Sequence, residues 1–117
     1  MANLPDLAPL ADLYAGALFD QGYCIIPAAL PALSALALAE DLEADFVQAA
    51  SSTGPFYGND TKRFGSLLRR SPHAADFVRH ALVLAIVRQI LGPWCDHVAL
   101  NLTQAIELMP GSIDQVP

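Results

Sequence analysis

His73, Asp76 and His80 stand at i, i+3 and i+7, which puts them along one side of a helix and gives the ligand types of a metal site. A plainer account fits better. An acid in a first helical turn complements the helix dipole, histidines there are ordinarily solvated, and the spacing offers no fourth ligand. A small metal-dependent enzyme built on these three residues therefore ranks last among the readings of the chain. His97, directly after Asp96, reads as a surface or hydrogen-bonded structural histidine. Cys24 and Cys95 lie in no nucleophile motif, and Gly54, Gly58 and Gly65 form no dinucleotide or phosphate-loop fingerprint. One further group has chemical character. Phe56, Tyr57, Lys62, Arg63 and Phe64 combine aromatic rings with cations, a composition suited to gripping a carboxylate-bearing molecule; a packed loop with solvated charges is the simpler alternative.

The elements that would position these residues follow from periodicity. Leu7, Leu10, Tyr14, Ala17 and Leu18 recur at helical spacing and Gly22 stands where that helix stops. Tyr23-Cys24-Ile25-Ile26, closed by Pro27, reads as a short strand at a sheet edge or boundary. Pro31 opens a second helix with Leu38, Leu42 and Phe46 on one stripe and Glu40, Asp41 and Glu43 largely elsewhere. Ser51 to Asp60 is a loop, and Arg63-Phe64 marks a short strand or turn. Ser71-Pro72 caps a helix, one or two pieces long, that ends at Gly92-Pro93. Its run Ala81 to Val87 points apolar groups in nearly all directions and is expected to be buried on most sides. From His97 to Met109 a strand alternates Val98, Leu100, Leu102, Ile106 and Leu108 with Asn101, Thr103 and Glu107, then meets a Pro110-Gly111 turn. The segment from there to Pro117 reads as a connector.

The totals narrow the classes. A chain of 117 residues is one domain or part of one, here read as a single partial domain over 1–117. It is 54% hydrophobic and 15% charged, against about 25% charged in ordinary soluble domains, which argues against global disorder. The net charge is −6, and all six basic residues lie between Lys62 and Arg88, with only acids before them. A nucleic-acid binder is not built this way. The basic stretch either pairs with the acidic second helix or contributes to a site for a small anion. There is no basic segment ahead of an apolar run at the N-terminus, and Ala81 to Val87 is too short to cross a bilayer, so a cytoplasmic protein with reduced, packed cysteines is expected.

Taken in order, several segments resemble the front half of a phytanoyl-CoA dioxygenase-like protein. They are Leu18-Phe19-Asp20-Gln21-Gly22-Tyr23-Cys24-Ile25-Ile26-Pro27, the leucine-rich helix, Thr61-Lys62-Arg63, Ile86-Val87-Arg88-Gln89-Ile90-Leu91-Gly92 and Glu107-Leu108-Met109-Pro110-Gly111. The resemblance spans most of the chain. It implies an α+β fold in which N-terminal helices flank the first strands of an incomplete double-stranded β-helix, or jelly roll. The activity it implies for the full-length parent is hydroxylation of a small-molecule substrate with iron(II) and 2-oxoglutarate.

In that family a His-x-Asp pair follows the Pro-Gly turn, a place that falls just beyond Pro117. His73-Ala74-Ala75, His80-Ala81-Leu82 and His97-Val98-Ala99 do not fit the pattern. The resemblance thus gives this chain no metal ligand or catalytic residue of its own and no activity alone, and it transfers two cosubstrate-binding positions, Lys62 and Thr103. It also directs Asn101, Thr103 and Glu107 into the barrel and Val98, Leu100, Leu102, Ile106 and Leu108 under the helices. The rival reading is a non-catalytic α+β module, without nucleic-acid or membrane partners, that associates with itself or another chain through an exposed strand edge.

Overall fold

A computed structural model describes residues 6–114. The elements are α1 (Ala8–Gln21), α2 (Ala32–Gln48), β1 (Ser51–Ser52), β2 (Thr61–Gly65), α3 (Leu67–Arg70), α4 (Ala74–Val78), α5 (Ala81–Leu91) and β3 (Gln104–Leu108). Helices with one small antiparallel sheet make this an α+β chain. It divides into two compact units, one comprising the described residues up to Leu30 with Asp76–Leu100, the other Pro31–Ala75 with the described residues from Asn101 onward.

The first unit is a helix pair. Asp6 accepts the Ala8 N–H at 3.0 Å and fixes the start of α1. Gly22 ends it where the sequence placed the stop, with φ +81° and an N–H to the Leu18 carbonyl. Ala11, Leu82 and Ile86 are buried between α1 and α5, with Tyr14, Leu18, Ile26, Ala85 and Ile90 packed around them. The small Ala11 lets the two backbones approach closely. The helix after Ser71-Pro72 proves to be two, because His80 adopts extended backbone (ψ 120°) between α4 and α5. Its ring compensates for the break: Nε2 donates to the Ala29 carbonyl at 2.7 Å and Nδ1 accepts the Val83 N–H at 3.4 Å.

Two expectations fail in this unit. Tyr23 to Ile26 is not a strand but an irregular segment that Ile26 anchors in the helix core, leaving Ile25 and Tyr23 exposed. Gln21 takes the Tyr23 carbonyl at 3.1 Å and Pro27 offers no N–H, so little of the segment is available for a ladder. Nor is α5 buried on most sides: Leu82 and Ile86 are buried, whereas Val83 and Leu91 are exposed, because α1 covers one face. Both cysteines are free, as expected, but Cys95 is exposed rather than packed.

The second unit is a helix on a sheet. The strands run in the order β1-β2-β3, all antiparallel, with Ser51 opposite Lys62, and with Lys62, Phe64 and Gly65 opposite Glu107, Ala105 and Gln104. The loop from Ser51 to Asp60 begins as β1 and is closed by Ser52, whose hydroxyl reaches the Gly58 carbonyl at 2.9 Å and the Tyr57 carbonyl at 3.3 Å. The Pro110-Gly111 turn forms as read, with Gly111 at φ +84° and Ser112 bonded back to Met109. The last three residues of the connector, Gln115 to Pro117, lie outside the described residues.

The last strand differs from its sequence reading in extent and in orientation. It begins at Gln104, not His97, because β2 ends opposite that residue: Ser66 turns the chain with φ +60° into α3, and residues 97–103 have no ladder. Its covered face is the one with Ala105 (9% exposed), whereas Ile106 (47%) and Leu108 (61%) are open, and Leu100 and Leu102 are exposed as well. Phe64 decides the matter. Its ring meets Phe46 of α2 edge-on at 4.7 Å, and cross-strand partners share a face, so Ala105 and Glu107 fall on the helix side by parity.

Candidate functional site

The helix-covered face of the sheet carries Lys62 and Phe64 from β2, Ala105 and Glu107 from β3, and Thr103 just before it. Lys62 donates to the Phe46 carbonyl at 2.9 Å. That oxygen belongs to the last turn of α2, where no further helical N–H is available, so the ammonium supplies the missing donor. Thr103 accepts the Leu67 N–H at 2.9 Å, the first orphan donor of α3. Each of the two positions drawn from the family resemblance is thus tied to a helix end. Glu107, the partner of Lys62, lies four positions after Thr103, which places the two backbone positions about 13 Å apart along the face. The backbones are tight at the Thr103 end, where a Cβ on Gly65 would lie 3.3 Å from the Thr103 carbonyl.

The aromatic and cationic group does not converge. Lys62 and Phe64 face α2, while Arg63 between them points to the other side, since alternate strand residues face opposite ways. There Arg63 lies 5.7 Å over the Tyr57 ring and donates to the Tyr57 carbonyl at 3.4 Å, with Phe56 edge-on to Tyr57 at 4.9 Å. Tyr57 and Phe56 are exposed. Close by in sequence, the Thr61 side chain is fully buried and its hydroxyl has no hydrogen-bond partner among the described residues.

A polar cluster that the spacing of the sequence did not reveal joins α2 to the segment between α3 and α4. Asp41 Oδ2 accepts from the Ser71 hydroxyl at 2.5 Å and from His73 Nδ1 at 2.7 Å, while Ser71 Oγ accepts the His73 N–H at 3.0 Å. Ser71 is buried and the His73 ring half-exposed. These two donors, the Ser71 bond foremost, hold the Asp41 carboxyl below its ordinary value of 3.8, assisted by the charge of His73 and opposed by desolvation. One turn along α2, Asp45 pairs with Arg70 at 2.5 Å, and Arg70 also donates to the Gly65 carbonyl at 2.8 Å and lies 5.1 Å over Phe64. The serine donates to the acid rather than to the imidazole, so this is not a nucleophile relay. It fastens two elements. The pairing of the basic stretch with the acidic second helix, one of the two alternatives read from the charge pattern, is met by Arg70 and Asp45; Ser71 and His73 carried no such sign.

The proposed metal triplet separates into three unrelated contacts. His73 goes to Asp41, Asp76 to Arg79 at 3.1 Å, and His80 to the Ala29 carbonyl. Among the described residues no three His, Cys, Asp or Glu side chains form a group able to hold a metal. His97 is exposed in the segment before β3.

Compared with models of known families, with curated proteins and with solved structures, the chain finds no significant match. Among the described residues no helix is long and apolar enough to cross a membrane.

Proposed function

We propose that the chain is the helical front and first strands of an iron(II)- and 2-oxoglutarate-dependent dioxygenase of the phytanoyl-CoA dioxygenase-like kind, acting in the cytoplasm on a small-molecule substrate. The observation that carries the reading is the two-sided sheet. One face is covered by α2, while the other exposes Ile106 and Leu108, which is what a single layer of a jelly roll presents before its second sheet is laid on it. The order of segments carrying the family resemblance supports it from the sequence side.

The described side chains do not fit an iron site, as no suitable group of three ligands is present among them. In this reading the His-x-Asp pair belongs to the sequence that follows Pro117, and the residues described here act as scaffold. Lys62 and Thr103 lie on the helix-covered face, opposite the face a second sheet would cover, so the positions the resemblance transferred point away from the barrel interior and would reach a 2-oxoglutarate pocket only around the edge of the sheet. Lys62 would have to leave the Phe46 carbonyl to do so, and Thr103 the Leu67 amide. When bound, iron and 2-oxoglutarate would supply the oxidising chemistry.

The test is to read the coding sequence past Pro117 and to express the longer product. A His-x-Asp pair a handful of residues downstream, with iron-dependent conversion of 2-oxoglutarate to succinate, is the expected result. A stop codon directly after Pro117 in a well-expressed protein would overturn the reading. It would leave the binding-module alternative, which has its own support: the outer edge of β3 has no strand partner among the described residues. A concentration-dependent dimer in size-exclusion and scattering measurements would identify the module.

A further inference from the structure

Two adjoining clefts in the α1/α5 unit differ sharply in chemistry. The first, about 320 Å³, is wholly apolar, lined by Phe77, Val83, Leu84, Val87, Val98 and Leu100 together with their apolar neighbours. That is the low end of the range of small-molecule sites, and its apolar lining is their usual character. The second, about 200 Å³, is polar and is formed by Arg88, Cys95, Asp96 and His97 at the end of α5. Val98 lines both, so one opens beside the other.

Arg88 supplies the electrostatic argument. Arg79 and Arg88 are the only Lys or Arg residues of this unit, and Arg79 is paired with Asp76. The Arg88 guanidinium has no ion-pair or hydrogen-bond partner among the described residues, and it stands in the polar cleft beside His97, a second donor. Asp96 in the same cleft disfavours a dianion, while one negative charge can be met by the arginine and the imidazole.

We propose that this unit binds a small amphiphilic carboxylate, its apolar body in the Phe77–Val83–Val87–Leu100 cleft and its carboxylate at Arg88 and His97. The inference is independent of the dioxygenase reading. It concerns a site whose residues all belong to one compact unit.

Decanoate below its micellar concentration is the probe, with decanol and acetate as partial mimics, titrated calorimetrically into the whole chain. The free thiols report location: Cys95 lines the polar cleft and Cys24 does not, so a neutral maleimide reads both in one sample. Expected are saturable decanoate binding, slower labelling of Cys95 with Cys24 unchanged, and little binding of acetate. Arg88→Gln should weaken decanoate about fivefold, the scale of an exposed charge pair, and leave decanol unaffected. Leu100→Asn, at an exposed position, should weaken both. Absent binding, equal protection of the two thiols, or unchanged decanoate affinity in Arg88→Gln would each overturn the proposal. The labelling of the unmodified chain decides it even if a variant fails to fold.

Discussion

His73 Nδ1 lies 2.7 Å from Asp41 Oδ2, an imidazole and a carboxylate that stand 32 residues apart in sequence and fasten the α3–α4 segment to the middle of α2. With a carboxylate as neighbour, Nδ1 carries the proton and donates it. The Ser71 hydroxyl shares the same oxygen.

This contact makes a prediction about acid. The folded-state value of Asp41 is lowered, so its contribution is fully present above the unfolded value near 3.8 and is lost as pH falls through the lower folded value. Asp41→Asn should therefore be less stable than the parent at neutral pH, with the gap closing on acidification below 3.8. Urea denaturation of both proteins across that range measures it. A gap that widened in acid would contradict the assignment.

Thr61 points the opposite way energetically. Its hydroxyl is buried without a partner among the described residues, so folding strips it of water for no return bond from them. Thr61→Val should raise stability by about 1 kcal/mol, seen as a higher denaturation midpoint at unchanged slope.

The roles found for Lys62 and Thr103 separate by conservative change. Thr103→Ser keeps the acceptor for Leu67 and should be near neutral, whereas Thr103→Val leaves that N–H orphaned at a cost of about 1 kcal/mol. Lys62→Met should cost a similar amount, about 1 kcal/mol, by releasing the Phe46 carbonyl. For a product extended past Pro117, the dioxygenase reading adds a raised KM for 2-oxoglutarate in both Lys62→Met and Thr103→Val.

The orientation of β3 is testable by a charge and by bulk. Ile106→Lys on the open face should shift the stability of this chain by no more than about 0.5 kcal/mol, while Ala105→Leu on the buried face should cost about 1–3 kcal/mol. The same lysine in the longer protein would sit between two sheets and should prevent its folding, if the jelly roll is completed there. Thermal denaturation of both lengths separates the two situations.

What could be read in advance was whatever depends on near neighbours. Gly22 marked the end of α1, Pro31 the start of α2, and the Leu42 stripe its buried side. What could not be read was whatever depends on a distant partner. The alternation of β3 gives two faces but not which one a helix will cover; that was settled by Phe64, some forty residues earlier in the chain, meeting Phe46. Tyr23 to Ile26 had the residue types of a strand and no strand to pair with among the described residues. The i, i+7 spacing of His73 and His80 assumed one continuous helix, and the break at His80 removed that premise.

The Ser52 hydroxyl, by holding the carbonyls of Tyr57 and Gly58 together, closes the aromatic loop on itself. The backbone that carries Phe56 and Tyr57 is therefore tied to β1 at two points. The entropic cost of shaping that loop is met within the chain's own folding, and any contact made there would not have to meet it again.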